Sequence, residues 1–336
     1  MSNPINLPKP FFVLAPMDDV TDTVFRQVVQ STAAPDLFFT EFVNVDGLQS
    51  PGRSKLLKKL KFVPSETRLV AQLWGKNPEN FRKTAEQIAD GTFAKELGLP
   101  EGVNFVGIDL NMGCPAKSEV KNGTCSALIL DRPLASAIIN ATQAGAAGLL
   151  PVSVKTRLGW GEIDHSWGEF VLRHDLYMLT MHGRTKKEMS KVPAHWDEIG
   201  KVREIRDRIA PDTLIVGNGD VESHQQGVQL ATQYGLDGIM IGRGIFHDPY
   251  VFAQTSPWET LDREARINLY ARHVRLFAET WQQNERPIHT LNKFCKIYIN
   301  GFDGAKELRE QLMNADSTAE LLSLLHIAYS DVLSSR

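Results

Sequence analysis

The sequence predicts an α/β protein, a closed (β/α)8 barrel followed by a C-terminal all-α helical domain. Eight short apolar runs between Phe11 and Ile241 alternate with stretches of helical period, and the strand signal is gone after about Leu261. Such alternation builds a parallel sheet with its crossover helices packed outside. The runs are Phe11–Leu14, Asp36–Thr40, Arg68–Leu73, Phe105–Leu110, Val152–Lys155, Tyr177–Met181, Thr213–Val216 and Gly238–Ile241. Segments such as FFVL and GIMI are apolar without alternation, as expected of strands covered on both faces. Eight units match the size of a barrel, whereas a doubly wound sheet needs a glycine-rich phosphate turn after its first strand. Leu14 is followed instead by Ala15, Pro16 and Met17. The stretch EIDHSWGEFVLRHDL, between the fifth and sixth runs, is short for a barrel helix. Beyond the last run, LDREARINLYARHVRLFAETW, RPIHTLNKFCKIYI and ADSTAELLSLLHIAYSDVL read as amphipathic helices, with Asp316 or Ser317 as N-cap of the last. The expected domains are 1–255 and 256–336.

With 42% hydrophobic and 23% charged residues, the 336-residue chain has an ordinary globular composition. Its 37 basic residues against 40 acidic ones, a net charge of -3, exclude retention on nucleic acid by bulk charge, so any such partner must meet a local basic patch. Three cysteines, Cys114, Cys125 and Cys295, are too few for a disulfide framework and point to a reducing compartment. The opening MSNPINLPKP has no leader pattern, and the weakly polar stretch Ala144–Val154 is broken by Pro151 and too short for a membrane span. A cytoplasmic protein without membrane contact is expected.

In a barrel of this kind chemistry belongs to the C-terminal strand ends. The residues there are Pro16 and Met17, then Thr40 and Glu41, Gln72, Asn111 with Cys114, Lys155 with Arg157, His182 with Arg184, Asn218 with Gly219, and Gly242 with Arg243. Burying so many polar groups unpaired would cost roughly 1–3 kcal/mol each, which argues for a polar ligand in the mouth. Gly217-Asn218-Gly219 and Gly242-Arg243-Gly244 follow strands seven and eight, where barrels commonly bind phosphate. Lys155, in SVKTR, reads as a rim lysine, a Schiff-base amine or a fixed cation. His182, in MHGRT, is equally a satisfied core histidine or a site residue. Cys114 stands between Gly113 and Pro115 just past strand four, poorly placed for core packing and able to give a proton or act as a nucleophile. Cys125 and Cys295 lack this context and read as inert. No metal-ligand spacing is present, so no metal is expected.

The ordered motifs APMDDVTD, TEFV, AQLWG, DLNMGCPAK, SVKTRLGW, MHGRT, NGD and GRG make the chain resemble the tRNA-dihydrouridine synthases, from about Phe11 to Arg309. KFCKIYINGFDGAKELR is similar to the RNA-binding helical domain of that family. The resemblance implies an FMN-dependent, NADPH-driven reduction of uridines in tRNA by a monomer. It places Pro16 and Met17 against the flavin through backbone contacts, Gln72, Lys155 and His182 at its ring, and Asn218, Gly219 and Asp220 of NGD with Gly242 and Arg243 at its phosphate. Asn111 and Arg184 would read the uracil, and Cys114 would protonate C5. Lys293, Lys296, Tyr298 and Arg309 would hold tRNA, Tyr298 as a stacking partner. Arg53–Lys61 is also basic but reads as a solvated helix face. The chain departs from the family at Cys125, where glycine is usual. Competing readings are a flavin barrel for a small molecule of the dihydroorotate type, a Schiff-base lyase using Lys155, and a catalytically silent RNA-binding module.

Overall fold

The computed structural model describes residues 5–282 and 285–334. Its parallel strands are β1 (Phe11–Leu14), β2 (Phe38–Phe39), β3 (Val43–Asn44), β4 (Leu69–Trp74), β5 (Gly107–Met112), β6 (Val152–Arg157), β7 (Met178–His182), β8 (Leu214–Asn218) and β9 (Gly238–Ile241). They pair in the order β1-β9-β8-β7-β6-β5-β4-β2, with β3 also on β4. A parallel bridge from Val13 to Leu37 brings β1 against the approach to β2, so eight strand positions form a nearly closed barrel of the TIM type.

The second position is split where the sequence shows a single run, and Thr40 is the cause. Its N–H donates to the Val70 carbonyl at 3.0 Å, but its hydroxyl donates to the Glu41 carbonyl at 2.7 Å and accepts the Gln72 N–H at 3.0 Å. A side chain stands where the ladder needs a carbonyl, and pairing resumes only at Val43. Five other strands run further than the apolar pattern indicates, β4 to Trp74, β5 to Met112, β6 to Arg157, β7 to His182 and β8 to Asn218. Several expected strand-end residues therefore sit on the strands themselves, where backbone pairing fixes them.

In-register residues of a parallel sheet share a face. Alternate strand residues, Phe11, Val13, Leu37, Phe39, Val70, Met178, Leu214, Val216 and Met240, form an apolar cluster. Further along β4 to β7 the same face turns polar, with Gln72, Asp109 and Ser153 in register in one row and Asn111, Lys155 and Thr180 in the next. The barrel is thus a packed apolar core at one end and a polar mouth at the other.

Two compact units partition the chain, residues through Thr23 with Pro35–Gly242, and Val24–Ala34 with Arg243 onward. The helix after β1, Thr23–Ala33, groups almost entirely with the second unit: Phe25 stacks on Phe294 at 4.9 Å, and the Thr32 hydroxyl donates to the Pro249 carbonyl at 2.6 Å. That unit also holds helices Arg263–Thr280, Asn292–Tyr298, Ala305–Met313 and Thr318–Ser334. The last opens as expected, with Ser317 Oγ accepting the Glu320 N–H at 3.1 Å and Glu320 Oε2 accepting the Asp316 N–H at 2.9 Å. Among the described residues no helix is long and apolar enough to cross a membrane.

Candidate active site

The mouth is organised by a buried chain of hydrogen bonds. The N–H groups of Gly113 and Cys114 donate to Asn111 Oδ1 at 3.1 and 3.0 Å, an Asx-type turn that seats Cys114 at the end of β5. Asn111 Nδ2 donates to Gln72 Oε1 at 3.3 Å, and Gln72 Nε2 to Asp109 Oδ2 at 2.7 Å. Ser153 Oγ completes the chain on Asp109 Oδ1 at 2.6 Å. Burial pushes the Asp109 carboxyl up to about 6, against the pull of Ser153, Gln72 and the Lys155 charge. Asp109 and Ser153 were not among the residues singled out by sequence. Their only signal is a polar side chain inside an otherwise apolar strand.

Lys155 projects from the next row, and its Nζ donates to Asn218 Oδ1 at 3.2 Å. Asn218 Nδ2 donates in turn to the Met240 carbonyl at 2.9 Å, so the lysine's partner is itself fixed. Burial, reinforced by Arg157, lowers the Lys155 ammonium to about 8, while Asp109 and Cys114 act in the opposite direction. Beside it Thr180 Oγ1 is buried without a hydrogen-bond partner. An orphaned hydroxyl costs free energy unless a ligand meets it.

Arg157 ties the loops together. Its Nε donates to the Gly113 carbonyl at 2.7 Å, and its Nη1 to the Thr185 and Met189 carbonyls at 3.1 and 3.0 Å. Gly113 itself allows the close approach, since a Cβ there would lie 3.2 Å from Thr156 Cα. Cys114 remains half-buried, its thiol lowered to about 7 chiefly by a hydrogen bond from the Cys125 thiol, with the Ala116 N–H and Arg157 helping against burial and Glu119. The Ser126 N–H donates to the Cys114 carbonyl at 3.3 Å, which returns the loop holding Cys125, expected to be inert, to the side of the candidate acid.

Arg184 corrects an expectation. It is 2% exposed, and its guanidinium is committed to the Val192 carbonyl at 2.6 Å, His182 Nε2 at 3.2 Å and the Asp220 carboxylate. With Nε, Nη1 and Nη2 each on a protein acceptor and almost none of the side chain exposed, Arg184 is held as an internal support beside His182. Asp220 likewise spends its Oδ2 on Arg184 and on the Ala194 N–H at 3.0 Å. Its backbone takes an unusual path, with Gly219 and Asp220 at φ of 141° and 53°. Any side chain at 219 would meet Ala194 Cβ at 2.6 Å.

Pro16 and Met17 are half-buried at the end of β1, but the expected backbone contact is partly used up. The Met17 N–H donates to Thr21 Oγ1 at 2.9 Å, and its carbonyl accepts from Thr21 N at 3.0 Å. The Met17 sulfur lies 4.0 Å from where a Cβ on Gly242 would be, which puts the first and last strand ends side by side. Arg243 is exposed. Asp18, Asp19 and Glu41 bring three carboxylates close together, a grouping drawn from two loops that no spacing rule foresees. Asp18 is paired with Lys59, and Glu41 accepts the Asp19 N–H at 2.8 Å. In the basic run, Arg53 is bound to Glu96.

In the helical unit Lys293 and Lys296 are exposed, while Arg309 is half-buried with Nη1 on the Ile299 carbonyl at 2.6 Å. Tyr298 is a second correction. It is fully buried, stacked on Tyr270 at 5.3 Å, with its hydroxyl 3.0 Å from His273 Nδ1, so both its ring and its polar tip belong to the core. Burial lowers His273 to about 3 and keeps that partner neutral.

Fold and site together define a barrel enzyme with a lysine cation, a hydrogen-bonded polar mouth and an acidified thiol. The chain belongs to the dihydrouridine synthase (Dus) family, whose model matches residues 13–334. It is 47% identical over 322 residues to the probable tRNA-dihydrouridine synthase of Staphylococcus aureus strain COL, covering 95% of this chain and 93% of that protein. It is 46% identical to the probable tRNA-dihydrouridine synthase 2 of Bacillus subtilis strain 168, covering 95% and 94%.

Proposed function

We infer that this protein is a tRNA-dihydrouridine synthase that uses FMN and NADPH to reduce the C5–C6 double bond of uridines in tRNA, with Cys114 as general acid. The observation that carries the reading is the placement of Cys114, a thiol lowered to about 7 and seated by Asn111 at a barrel mouth that also holds the Lys155 ammonium. The names borne by the S. aureus and B. subtilis relatives support tRNA as the substrate. The orphaned Thr180 hydroxyl, the Lys155 cation and the uncrowded Gly242 suit a polar-edged, anionic ring system.

Pro16, Met17, Gln72, Lys155 and His182 would hold the ring of FMN, and the Asn218–Gly219–Asp220 turn with Gly242 and Arg243 its phosphate. When bound, FMN supplies a hydride equivalent to uracil C6, having received its electrons from NADPH. Lys155 keeps a positive charge where negative charge accumulates, and Asn218 fixes that charge in place. Asn111 holds the backbone of Cys114 so that its thiol can deliver a proton to C5. The uridine has to leave its stack to reach this mouth. Residues 1–255 form the catalytic domain in this reading. Residues 256–336 hold tRNA through Lys293, Lys296 and Arg309, and the enzyme acts as a monomer in the cytoplasm.

The test is a visible spectrum of the purified protein, taken again after anaerobic NADPH and then unmodified tRNA. A flavin spectrum that bleaches with NADPH and returns with tRNA is expected. Cys114→Ala should keep flavin and its bleaching but lose most of the tRNA-driven return, and full activity in that variant would remove Cys114 as the acid. A flavin that bleaches and ignores tRNA would favour a small-molecule substrate.

A further inference from the structure

Two loops at the mouth are joined beyond the ends of their strands. After β6 the chain turns tightly at Gly159, where a Cβ would overlap the Glu162 carbonyl, and the Asp164 N–H donates to the Leu158 carbonyl at 2.8 Å. The loop after β7 pairs with this turn. The Leu158 N–H donates to the Arg184 carbonyl at 3.1 Å, and the Lys186 and Lys187 N–H groups donate to the Gly159 and Trp160 carbonyls, each at 2.9 Å. Trp160 is thereby held half-buried at the rim, with the Lys186 ammonium 4.4 Å from its ring centroid. Arg157 bonds the Gly113 carbonyl on one side and the Thr185 and Met189 carbonyls on the other, which fixes this rim beside the turn that carries Cys114.

The rim carries charge that the fold does not use. Within residues 184–191, Arg184 is paired with Asp220 and Glu188 with His195. Lys186, Lys187 and Lys191 have no carboxylate partner among the described residues. They lie on turns and not on a helix, unlike the run Arg53–Lys61, where Arg53 is bound to Glu96 and Lys59 to Asp18. Met189 stands among them, 42% exposed and at φ of 55°, a left-handed conformation that a side chain adopts only where its surroundings impose it. Here the Arg157 bond to its carbonyl imposes it. Solvation alone accounts for the lysines, but not for an exposed, strained methionine and an aromatic ring held among them. Flat apolar surface next to uncompensated cations matches the two halves of a nucleotide, its base face and its phosphate.

We propose that this rim is a platform for the nucleotides flanking the uridine in the mouth, with Trp160 and Met189 against base faces and Lys186, Lys187 and Lys191 at phosphates. The inference rests on the reading of tRNA as substrate. A uridine drawn out of its stack leaves its neighbours with an uncovered face, and an aromatic rim covers it.

The test is binding of unmodified tRNA transcript to the full-length protein supplied with FMN, read by fluorescence anisotropy over a range of salt. It compares the wild type with Trp160→Ala, Trp160→Phe, Lys187→Ala and Lys191→Ala, each checked for folding by its Tm. Trp160→Ala should weaken binding roughly fivefold or more with its salt slope unchanged, and Trp160→Phe should stay close to the wild type. Lys187→Ala and Lys191→Ala should each flatten the slope by about 0.7–0.9, the value of one phosphate contact. If Trp160→Ala does not fold, photocross-linking of the wild type to tRNA with 5-bromouridine at every uridine still decides the question, with adducts expected on Trp160 or Met189 by mass spectrometry. Unchanged affinity in folded Trp160→Ala, or adducts confined to other segments, would overturn the platform and leave tRNA as the substrate. Affinity for polyglutamate equal to that for tRNA would overturn it in favour of an acidic protein partner. A wild-type protein that binds no tRNA would sink the substrate reading itself, and the platform with it.

Discussion

Replacing Lys155 with methionine should make the flavin-free protein more stable while destroying its activity. Lys155 has a folded-state value near 8 instead of 10.5, because burial first and Arg157 second disfavour its charge. The unfolded chain therefore holds the proton up to about 10.5, and the folded chain releases it near 8. Between those values the unfolded state binds more protons, so stability rises with pH across the window and is lowest below pH 8. The difference of about 2.5 units corresponds to about 3 kcal/mol. Methionine removes that cost but leaves Asp109 without its nearby cation, which brings the expected gain at pH 7.5 down to about 1–3 kcal/mol. The assay is urea unfolding of both proteins by tryptophan fluorescence at several pH values from 7.5 to 10.5. The advantage of Lys155→Met should shrink steadily over that range as the wild-type lysine becomes neutral in both states. A stability difference that stays constant from pH 7.5 to 10.5 would refute the reasoning, because packing effects of the substitution do not titrate.

Arg184→Ala should cost roughly 1–3 kcal/mol of stability, seen as a lower Tm, because it removes a buried guanidinium and takes a donor from the Val192 carbonyl, His182 and the part-exposed Asp220. Weaker tRNA binding at unchanged Tm would return Arg184 to base recognition. Lys293→Ala and Lys296→Ala should each lower the salt dependence of tRNA affinity by about one phosphate contact, whereas Tyr298→Phe should leave affinity unchanged and cost about 1 kcal/mol for its hydrogen bond to His273. The tRNA-driven step should slow as pH rises above about 7, since the acid must be protonated and the Cys114 thiol lies near that value. A rate that is flat from pH 6.5 to 8.5 in stopped-flow reoxidation would contradict this.

The barrel was largely legible because strands buried on both faces require unbroken apolar runs, and these recur at the spacing of βα units from Phe11 to Ile241. The split second strand was not, because it depends on the Thr40 hydroxyl reaching Gln72 on another strand. The helix Thr23–Ala33 has the right period, but no period reveals that its apolar face packs with Phe294. At the site, residue type and strand position brought out Asn111, Cys114, Lys155 and Asn218, which the structure links through hydrogen bonds or shared electrostatics. Arg184 and Tyr298 were misread for one reason. An arginine at a strand end and a tyrosine among lysines resemble ligand contacts, and only their three-dimensional partners show them to be internal supports. Cys125 reads from the sequence as inert, and no pattern reveals that the loop returns it to the side of Cys114, eleven positions earlier in the chain.

The central claim is that this barrel reduces uridine within tRNA, and nucleoside analysis of the product tests it most directly. Unmodified tRNA transcript incubated with the enzyme, FMN and NADPH, then digested and separated by mass spectrometry, should yield a uridine heavier by two hydrogens. Cys114→Ala should yield almost none. A tRNA that reoxidises the flavin yet contains no such nucleoside, or an unchanged yield from Cys114→Ala, would contradict the account.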